Sequence, residues 1–441
     1  MRKVLILFLS ILAITLLGET FAAPVKKDVL ANGLTILSKE SRTNDIVAVQ
    51  VYLRMGTRYE TDEQAGLSTL LQSLLLKGTD TRTAVQIATE IESVGGRIST
   101  AAEKDYGNIS LLVTREGLDV GLDVLFDILQ NATFPEDKVA QGKALLLRRI
   151  ASRRDQLLAS TFDLFQETYY QNYPYHKPRL GYPETVKRFT RKSVLDFYKT
   201  YYVPNNLVFS LVGNFDSSAV IGRIKRRFGR LPRRDIPSPP EAIFSPASRS
   251  REAIRERESQ TAWMVLGYSA PSITSPDFTA MQVLNAVTGG SMDSRLFVEL
   301  RDKKGLAYQI GSLYVPRVGP SFYADYMGTR PEQFELARKG ILSEMGRIKS
   351  ELVKDEELKR TKTYLRGTFI MSQESNAGQA SLLGQYELLG PGYRFVDEYP
   401  KLIASVTKED VLKIARKYLT YYTLGAILPG KSHVKESTKD K

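Results

Sequence analysis

The sequence contains no cysteine. A chain without cysteine cannot form a disulfide, use a thiol nucleophile, bind a metal through thiolates or carry the lipid anchor of a lipoprotein. Small secreted domains usually depend on disulfides, whereas a large protein can rely on its hydrophobic cores. The absence of cysteine therefore favours a large protein that is stabilised by packing.

Histidine is nearly absent as well, since only His176 and His433 occur in 441 residues. His433 lies in the polar C-terminal tail, and His176 lies in a Tyr-Pro-Tyr-His-Lys-Pro loop. Neither has a second metal ligand at a suitable spacing, and no G-x-S-x-G motif accompanies either. We interpret His176 as a surface or packing residue. The sequence argues against a histidine zinc site and against a serine triad.

Long hydrophobic runs are confined to the N-terminus. Residues 1–23 combine the positive charges of Arg2 and Lys3 with an apolar run and small residues, which predicts a signal peptide cleaved after Ala22 or Ala23. The alternative is an uncleaved anchor, but the run is short for a span of roughly 20 residues. We expect no stable membrane insertion after cleavage, and an exported protein of the bacterial periplasm.

The formal net charge of +13 raises the question of nucleic-acid binding. The basic residues are scattered or occur in short pairs, and no dense basic helix interleaved with aromatic residues is present. We therefore expect no nucleic-acid partner. The length of 441 residues predicts two or more domains.

Hydrophobic periodicity predicts alternating strands and helices from Val29 onward. The predicted strands are Leu34–Ser38, Val47–Met55, Arg97–Glu103, Tyr106–Thr114, Leu207–Val212 and Ala262–Gly267. The predicted helices are Gln64–Leu76, Thr81–Val94, Arg115–Asn131, Glu136–Leu158, Ser160–Tyr173, Thr190–Tyr201, Ser217–Phe228 and Pro276–Thr288. This mixture predicts the α+β class, with mostly antiparallel sheets that carry helices on one face.

An internal repeat relates the two halves of the chain. Residues 190–213 align on residues 407–430 without a gap and are identical at seven positions, among them the final glycine. Shared periodicity could produce such a match, but the unbroken register favours duplication. We predict two homologous domains, 24–230 and 251–430, arranged as a clam. A linker containing five prolines joins them at 231–250, and a disordered tail follows at 431–441.

A motif of known type lies at residues 62–79, DEQAGLSTLLQSLLLKGT. With its Gly-Leu and Lys-Gly-Thr frame it resembles the metal-binding helix of the pitrilysin/insulinase-type zinc peptidases, or inverzincins. In that family G-L-x-H-x-x-E-H supplies two zinc-binding histidines and a glutamate general base. The histidine positions are Thr69 and Ser73 here, and the glutamate position is Gln72. Hydroxyls are poor zinc ligands, and a neutral amide cannot accept a proton from water.

The third zinc ligand of the family is a glutamate on a later helix that follows a Phe-Pro segment. Phe134-Pro135 is present here, and the spacing from Ser73 places Arg149 nearest to the ligand position. A cation at this position would repel zinc. The resemblance therefore implies a degenerate zinc site in a chain that binds no cofactor of its own.

A second motif of the family is matched by SRLFVELRDKKGLAY at residues 294–308. By resemblance, Arg301 and Tyr308 would position substrate beside a zinc ion. Arginine offers fixed charged donors, and a tyrosine hydroxyl can bond a peptide carbonyl or a developing oxyanion. A surface ion pair and a packed ring are the structural alternative.

The segment Gly95–Ala101 resembles the family's substrate-binding edge strand. Such an edge can accept an extended peptide through main-chain hydrogen bonds. An ordinary hairpin strand explains the same residues equally well, and both interpretations remain open.

The resemblance implies a non-catalytic subunit of a heteromeric metallopeptidase. The expected partner is a homologous chain that carries H-x-x-E-H and zinc, and the expected substrates are peptides or unfolded proteins. The alternative is a structural or peptide-binding pseudo-peptidase with no role in catalysis. A single-chain metallopeptidase would require ligands that this sequence lacks.

Overall fold

The computed structural model describes residues 24–430. The predicted signal peptide, 1–23, and the predicted disordered tail, 431–441 with His433, lie outside the described residues. No helix among the described residues is long and apolar enough to cross a membrane.

The strands of residues 24–430 form one six-stranded and one five-stranded sheet. The six-stranded N-terminal sheet contains β1 (Lys26–Val29), β2 (Thr35–Glu40), β3 (Ile46–Arg54), β4 (Arg97–Ala102), β5 (Tyr106–Thr114) and β6 (Leu207–Gly213). The five-stranded C-terminal sheet contains β7 (Arg251–Arg257), β8 (Ala262–Ala270), β9 (Gln309–Val315), β10 (Ser321–Thr329) and β11 (Thr423–Pro429).

Among the described residues, the N-terminal half has eight α-helices, and the C-terminal half has six α-helices and one π-helix. The N-terminal half contains α1 (Leu67–Leu74), α2 (Ala84–Ser93), α3 (Leu118–Asn131), α4 (Glu136–Asp155), α5 (Leu157–Tyr170), α6 (Pro183–Arg188), α7 (Arg191–Tyr201) and α8 (Ser217–Phe228). The C-terminal half contains α9 (Phe278–Thr288), a π-helix (Phe297–Lys303), α10 (Phe334–Ser350), α11 (Asp355–Met371), α12 (Asn376–Leu389), α13 (Phe395–Ser405) and α14 (Lys408–Tyr418). Short 3-10 turns lie at Pro174–His176, Pro204–Asn206 and Pro331–Gln333.

The two sheets share one topology. The N-terminal order is β1-β2-β6-β3-β5-β4, and the C-terminal order is β7-β11-β8-β10-β9. In each sheet one pair is parallel, β2 with β6 and β7 with β11, and the other pairs are antiparallel. This pairing confirms the α+β class with two homologous, mostly antiparallel sheets.

The repeated segment occupies equivalent places in the two halves. Helices α7 and α14 begin after Thr190 and Thr407, and each threonine forms a capping box with the residue three positions later. The strands that follow them, β6 and β11, lie at the same position in their sheets. The equivalence supports duplication.

Alternation along β3 assigns its two faces to different cores. Val47, Val49 and Val51 pack into the core beneath the helices of the N-terminal half. Ala48 and Tyr52, on the opposite face, pack into the core of the C-terminal half. In an antiparallel sheet one face of a strand is normally exposed to solvent, but both faces of β3 are buried.

The second face of each sheet is covered by a helix from the other half. Helix α5 packs on β8 and β11, and helix α12 packs on β3 and β6. Each sheet thus has helices of its own half on one face, as expected. The other face is covered by a helix from the other half, which the sequence did not predict. The predicted helix Glu136–Leu158 ends earlier, at Asp155, because Gln156 adopts an extended conformation between α4 and α5.

Candidate functional site

Helix α1, which carries three of the predicted site positions, has a tightly built N-terminus. Gly66 precedes it with φ of 95°, and a Cβ there would lie 2.6 Å from the carbonyl oxygen of Leu180. The buried Glu60 carboxylate accepts the backbone N–H of Gly66 at 3.0 Å and that of Ser68 at 2.7 Å. Burial raises the pKa of Glu60, and these bonds oppose the rise. The Gly-Leu frame is therefore required by packing.

Thr69 and Ser73 use their hydroxyls for internal bonds. Thr69 Oγ1 donates to the carbonyl oxygen of Arg179 at 2.5 Å, which ties α1 to the 177–182 segment. Ser73 Oγ donates to the carbonyl of Leu70 in its own helix at 2.7 Å. Both hydroxyls are committed to backbone acceptors.

Gln72 is enclosed in the interior and is 2% exposed. Its Nε2 donates to the hydroxyl of Tyr202 at 2.9 Å, and its backbone carbonyl accepts from Thr100 Oγ1 of β4 at 2.5 Å. Burial raises the pKa of Tyr202 well above its ordinary value, so the phenol stays protonated. Gln72 therefore joins α1 to α7 and to the edge strand β4, as a structural residue would.

Arg149 lies on α4, which packs against α1. A Cβ at Gly142 of α4 would lie 2.9 Å from Leu74 Cδ2, so the two helices approach closely. Arg149 is exposed, and it forms none of the ion pairs observed among residues 24–430. The structure thus places all four degenerate positions on two adjacent helices.

These positions do not fit a zinc ion. The hydroxyls of Thr69 and Ser73 already donate to carbonyls, and Arg149 is a cation. The Gln72 amide is neutral, its Nε2 donates to Tyr202, and its buried Oε1 has no hydrogen-bond partner among the described residues. Within the described part of the chain no cluster of three or more histidine, aspartate or glutamate side chains is close enough to hold a metal.

Arg301 and Tyr308 lie on either side of a tight turn in the C-terminal half. Arg301 is in the last turn of the π-helix, and its guanidinium lies 4.8 Å from the Phe297 ring centroid. Gly305, with φ of 61°, reverses the chain, and Tyr308 directly precedes β9. The Tyr308 side chain is 58% exposed, and only its backbone N–H is engaged, with Gly328 O at 2.9 Å. Both side chains are presented to solvent.

Strands β4 and β9 form equivalent free edges. Each ends its sheet order and pairs with one neighbour among the described residues, β4 with β5 and β9 with β10. Successive residues of β4 alternate between exposed and half-buried. An extended peptide could add to such an edge, and an ordinary hairpin strand has the same geometry.

A buried charge cluster that the sequence analysis did not identify lies at Lys104 and Asp105, between the predicted strands Arg97–Glu103 and Tyr106–Thr114. Lys104 Nζ donates to the carbonyls of Tyr175 and, at 3.1 Å, Lys177. Burial and then the charge of Arg317 hold the pKa of Lys104 well below its ordinary value. The Asp105 carboxylate accepts the Tyr175 hydroxyl. The only signal in the sequence is the tyrosine-rich run at 169–175, which folds over this turn.

His176 lies at the end of the first 3-10 turn. Its Nδ1 lies 3.0 Å from the carbonyl oxygen of Tyr173, and the ring is half-buried. Burial lowers its pKa. In the described part of the chain it belongs to no group of three or more histidine, aspartate or glutamate side chains that could hold a metal.

Two protein families match consecutive parts of this chain. Insulinase (peptidase family M16) matches residues 35–182, and the peptidase M16 inactive domain matches residues 188–365. The degenerate helix α1 lies in the first match, and Arg301 and Tyr308 lie in the second.

The chain is also similar to full-length bacterial relatives. It is 30% identical over 401 residues to an uncharacterized zinc protease of Rickettsia felis, covering 90% of this chain and 96% of the relative. It is 29% identical over 406 residues to the uncharacterized zinc protease YmxG of Bacillus subtilis, covering 92% and 98%.

Solved structures share the fold. A protease from Helicobacter pylori matches with a TM-score of 0.87 at 23% identity, covering 93% of this chain and 100% of the other. A peptidase M16 inactive domain from Pseudomonas fluorescens gives 0.84 at 21% identity, covering 92% and 98%. A chain of Complex III2 from Candida albicans gives 0.78 at 15% identity, covering 92% and 96%.

Proposed function

This chain belongs to the insulinase-type M16 peptidase family, as its motifs predicted, and from that membership we propose that it is the non-catalytic subunit of a heteromeric zinc peptidase. Its partner would be a homologous chain that carries H-x-x-E-H. The zinc, when bound in that partner, would supply an activated water for peptide hydrolysis. The substrates would be peptides or unfolded proteins, and the N-terminal signal would place the complex in the periplasm.

The observation that carries the proposal is the exposure of Arg301 and Tyr308. A buried or bonded pair would have a structural explanation, but both side chains extend into solvent within the motif that resembles the family's positioning pair. Arg301 can donate two parallel bonds to a substrate carboxylate, or a single charged bond to a carbonyl oxygen. The Tyr308 hydroxyl can donate to an oxygen that gains negative charge.

The N-terminal half also supports a role in which the partner chain supplies the metal chemistry. Thr69, Gln72 and Ser73 hold the helix in place through internal bonds, so the frame persists without metal chemistry. A chain with a preserved frame and an outward-facing pair suits a complementary role. The hydrolytic water and its base would come from the partner.

The test measures peptide hydrolysis by this chain alone, by its H-x-x-E-H homologue alone, and by the two mixed with zinc. We expect activity in the mixture that exceeds the sum of the separate chains. Arg301→Ala should lower kcat/KM of the mixture by about a hundredfold, and Tyr308→Phe by about tenfold, because each removes a donor used in the transition state.

Matched controls are available on the exposed face of α11. Arg366→Ala and Tyr364→Phe remove the same chemical groups from exposed positions outside the motif. We expect less than a twofold change in activity from either. Size-exclusion chromatography of each mixture checks that the complex still forms, and an equal loss from the control and test variants would overturn the proposed role.

The alternative is a structural or peptide-binding pseudo-peptidase. It is favoured by the fold shared with a chain of Complex III2, a multi-subunit assembly by its name. A homologue that is fully active by itself, and that gains nothing from this chain, would support this alternative.

A further inference from the structure

A cleft lies where α4, the 178–180 segment and the turn after β4 meet Arg317 of the C-terminal half. Five cationic side chains line it, namely Lys104, Arg149, Arg153, Arg179 and Arg317. Only two acidic side chains do so, Glu103 and Asp163. The lining is therefore basic by composition, at a junction between the two halves, where ligand sites are common.

Both acidic side chains are already paired. Asp163 accepts two bonds from Arg153, at 2.7 and 2.8 Å, in a bidentate arrangement. Glu103 accepts from Arg179 at 3.0 Å. No carboxylate of the lining remains for the other three cations.

None of the other three cations has a carboxylate to itself among the described residues. Arg149 is exposed at the rim, with no acidic partner within reach among residues 24–430. The Arg317 side chain is 13% exposed, and its Nε has no hydrogen-bond acceptor in this part of the chain. The carboxylate of Asp105 lies 4.0 Å from it and is shared with Arg58 at 3.8 Å.

Lys104 is the third of these cations and is the buried one. Its ammonium has only two backbone carbonyls as acceptors, and burial together with the charge of Arg317 lowers its pKa. A buried cation is costly unless a counterion or several hydrogen bonds compensate it. A bound anion would supply that compensation for Lys104, Arg149 and Arg317 together.

We propose that this cleft binds a carboxylate of an acidic peptide, with Arg149 at the rim and Arg317 in the interior as donors. A peptide fits better than inorganic phosphate because Gln166, in the same lining, has a buried Oε1 with no donor in the described structure. A peptide brings N–H donors as well as a carboxylate. The choice of a peptide rests on the proposed function, whereas the anion site rests on the cleft alone.

The test measures peptide binding by the chain without residues 1–23, in the absence of any partner, using fluorescence anisotropy at low and moderate salt. An Asp/Glu-containing peptide is compared with its Asn/Gln twin, and each is made with a free and an amidated C-terminus. We expect the amidated Asn/Gln peptide, which has no carboxylate, to bind about tenfold more weakly than the acidic peptide, and binding of the acidic peptide to weaken with salt. The four peptides distinguish a side-chain carboxylate from the terminal one.

Arg149→Ala should weaken binding of the acidic peptide by about tenfold, because one charge-assisted bond is lost. Arg149→Glu should abolish it. Arg148→Ala is the matched control, since Arg148 is the exposed neighbour on α4 and does not line the cleft. Circular dichroism checks the fold of each variant.

Equal affinity for all four peptides would overturn the proposal, and so would equal losses in the Arg148 and Arg149 variants. Inorganic phosphate that binds Arg149-dependently while no peptide binds would overturn the peptide assignment. Because no partner is present, failure here leaves the mixing experiment unaffected. Binding without activation of the homologue would instead reject the proposed function.

Discussion

The two halves of the chain share one strand order but treat their chemistry-bearing side chains in opposite ways. In the N-terminal half, Thr69 and Gln72 point into the protein and bond to Arg179 and Tyr202. In the C-terminal half, Tyr308 extends into solvent. A polar group satisfied internally contributes to stability but is unavailable to a ligand. The comparison teaches that the positions matching the family's zinc site make internal contacts in this chain, whereas Tyr308 stays accessible to a ligand.

The helices exchanged between the halves also differ. Helix α5 inserts the Phe165 ring over Gly267 of the C-terminal sheet, where a Cβ would lie 2.3 Å from Phe165 Cζ. Helix α12 instead presents Gly384 to the Tyr52 ring, 2.7 Å from a Cβ built there. In one contact the helix supplies the large side chain, and in the other the sheet supplies it. Each half is therefore completed by the other.

The largest effect is expected from Phe165→Ala, which removes the side chain that α5 places in the C-terminal sheet. Phe165 is fully buried, so the change should lower the free energy of unfolding by about 3–5 kcal/mol. Urea denaturation followed by circular dichroism measures it. Leu145→Ala, at an exposed position of α4, is the control and should cost less than about 0.5 kcal/mol. Similar values for the two variants would show that α5 does not couple the halves.

The second prediction compares the buried carboxyl groups of the two halves. Glu60 accepts two backbone N–H groups, whereas Asp325 accepts only the Tyr323 hydroxyl, at 2.5 Å. Burial raises the pKa of Asp325 to about 8 from 3.8. The folded state therefore keeps a proton that the unfolded state loses, so this contribution to stability is present below pH 4 and is lost as the pH rises to about 8.

Asp325→Asn should therefore raise the free energy of unfolding at pH 8 by about 2 kcal/mol, because the amide resembles the protonated acid and cannot ionise. The gain should shrink toward pH 4. Thermal unfolding across this pH range measures it. Glu60→Gln is the comparison in the other half, and it should give no such gain, since the change weakens the cap of α1. A pH-independent difference between wild type and Asp325→Asn would contradict the assignment.

Sequence reasoning succeeded where local signals and the fold agree. The internal repeat located α14 through its match to residues 190–213, and the apolar, β-branched run Val47–Met55 located β3. Strand β7, REAIRER, was not predicted. It pairs in parallel with β11 at a sheet edge, and its mostly exposed, charged residues show no hydrophobic pattern that would indicate a strand. Helix α12 has no pronounced apolar stripe, and strands β3 and β6 of the other half cover one side of it. Its position in the fold therefore could not be predicted from the periodicity of its own residues.

The site shows the same division between local and long-range information. The replacements at Thr69, Gln72 and Ser73 are visible in the motif, but their bonding partners come from distant segments. Tyr202 lies 130 positions after Gln72, and no pattern predicts that contact. The burial of Lys104 depends on the segment at 175–177, which the turn-like sequence Lys104-Asp105 does not reveal.

The third prediction tests the two halves with one chemical change. Tyr202→Phe removes the acceptor of the Gln72 amide and should lower the free energy of unfolding by about 1–2 kcal/mol, because a buried donor loses its partner. Tyr308→Phe removes an exposed hydroxyl and should change it by less than about 0.5 kcal/mol. Urea denaturation of both variants measures the difference. Equal costs would mean that Tyr308 is as structural as Tyr202.

The smallest effect is expected at Ser73, which stands where the family's zinc-binding motif has a histidine. Its hydroxyl bonds a carbonyl that is three residues earlier in α1, and alanine favours the helix more, so Ser73→Ala should stabilise by about 0.3–0.5 kcal/mol. Thermal unfolding with and without added zinc measures it. A zinc-dependent rise in the wild-type melting temperature that the variant loses would mean that Ser73 still binds metal. We expect added zinc to shift the melting temperature of neither protein.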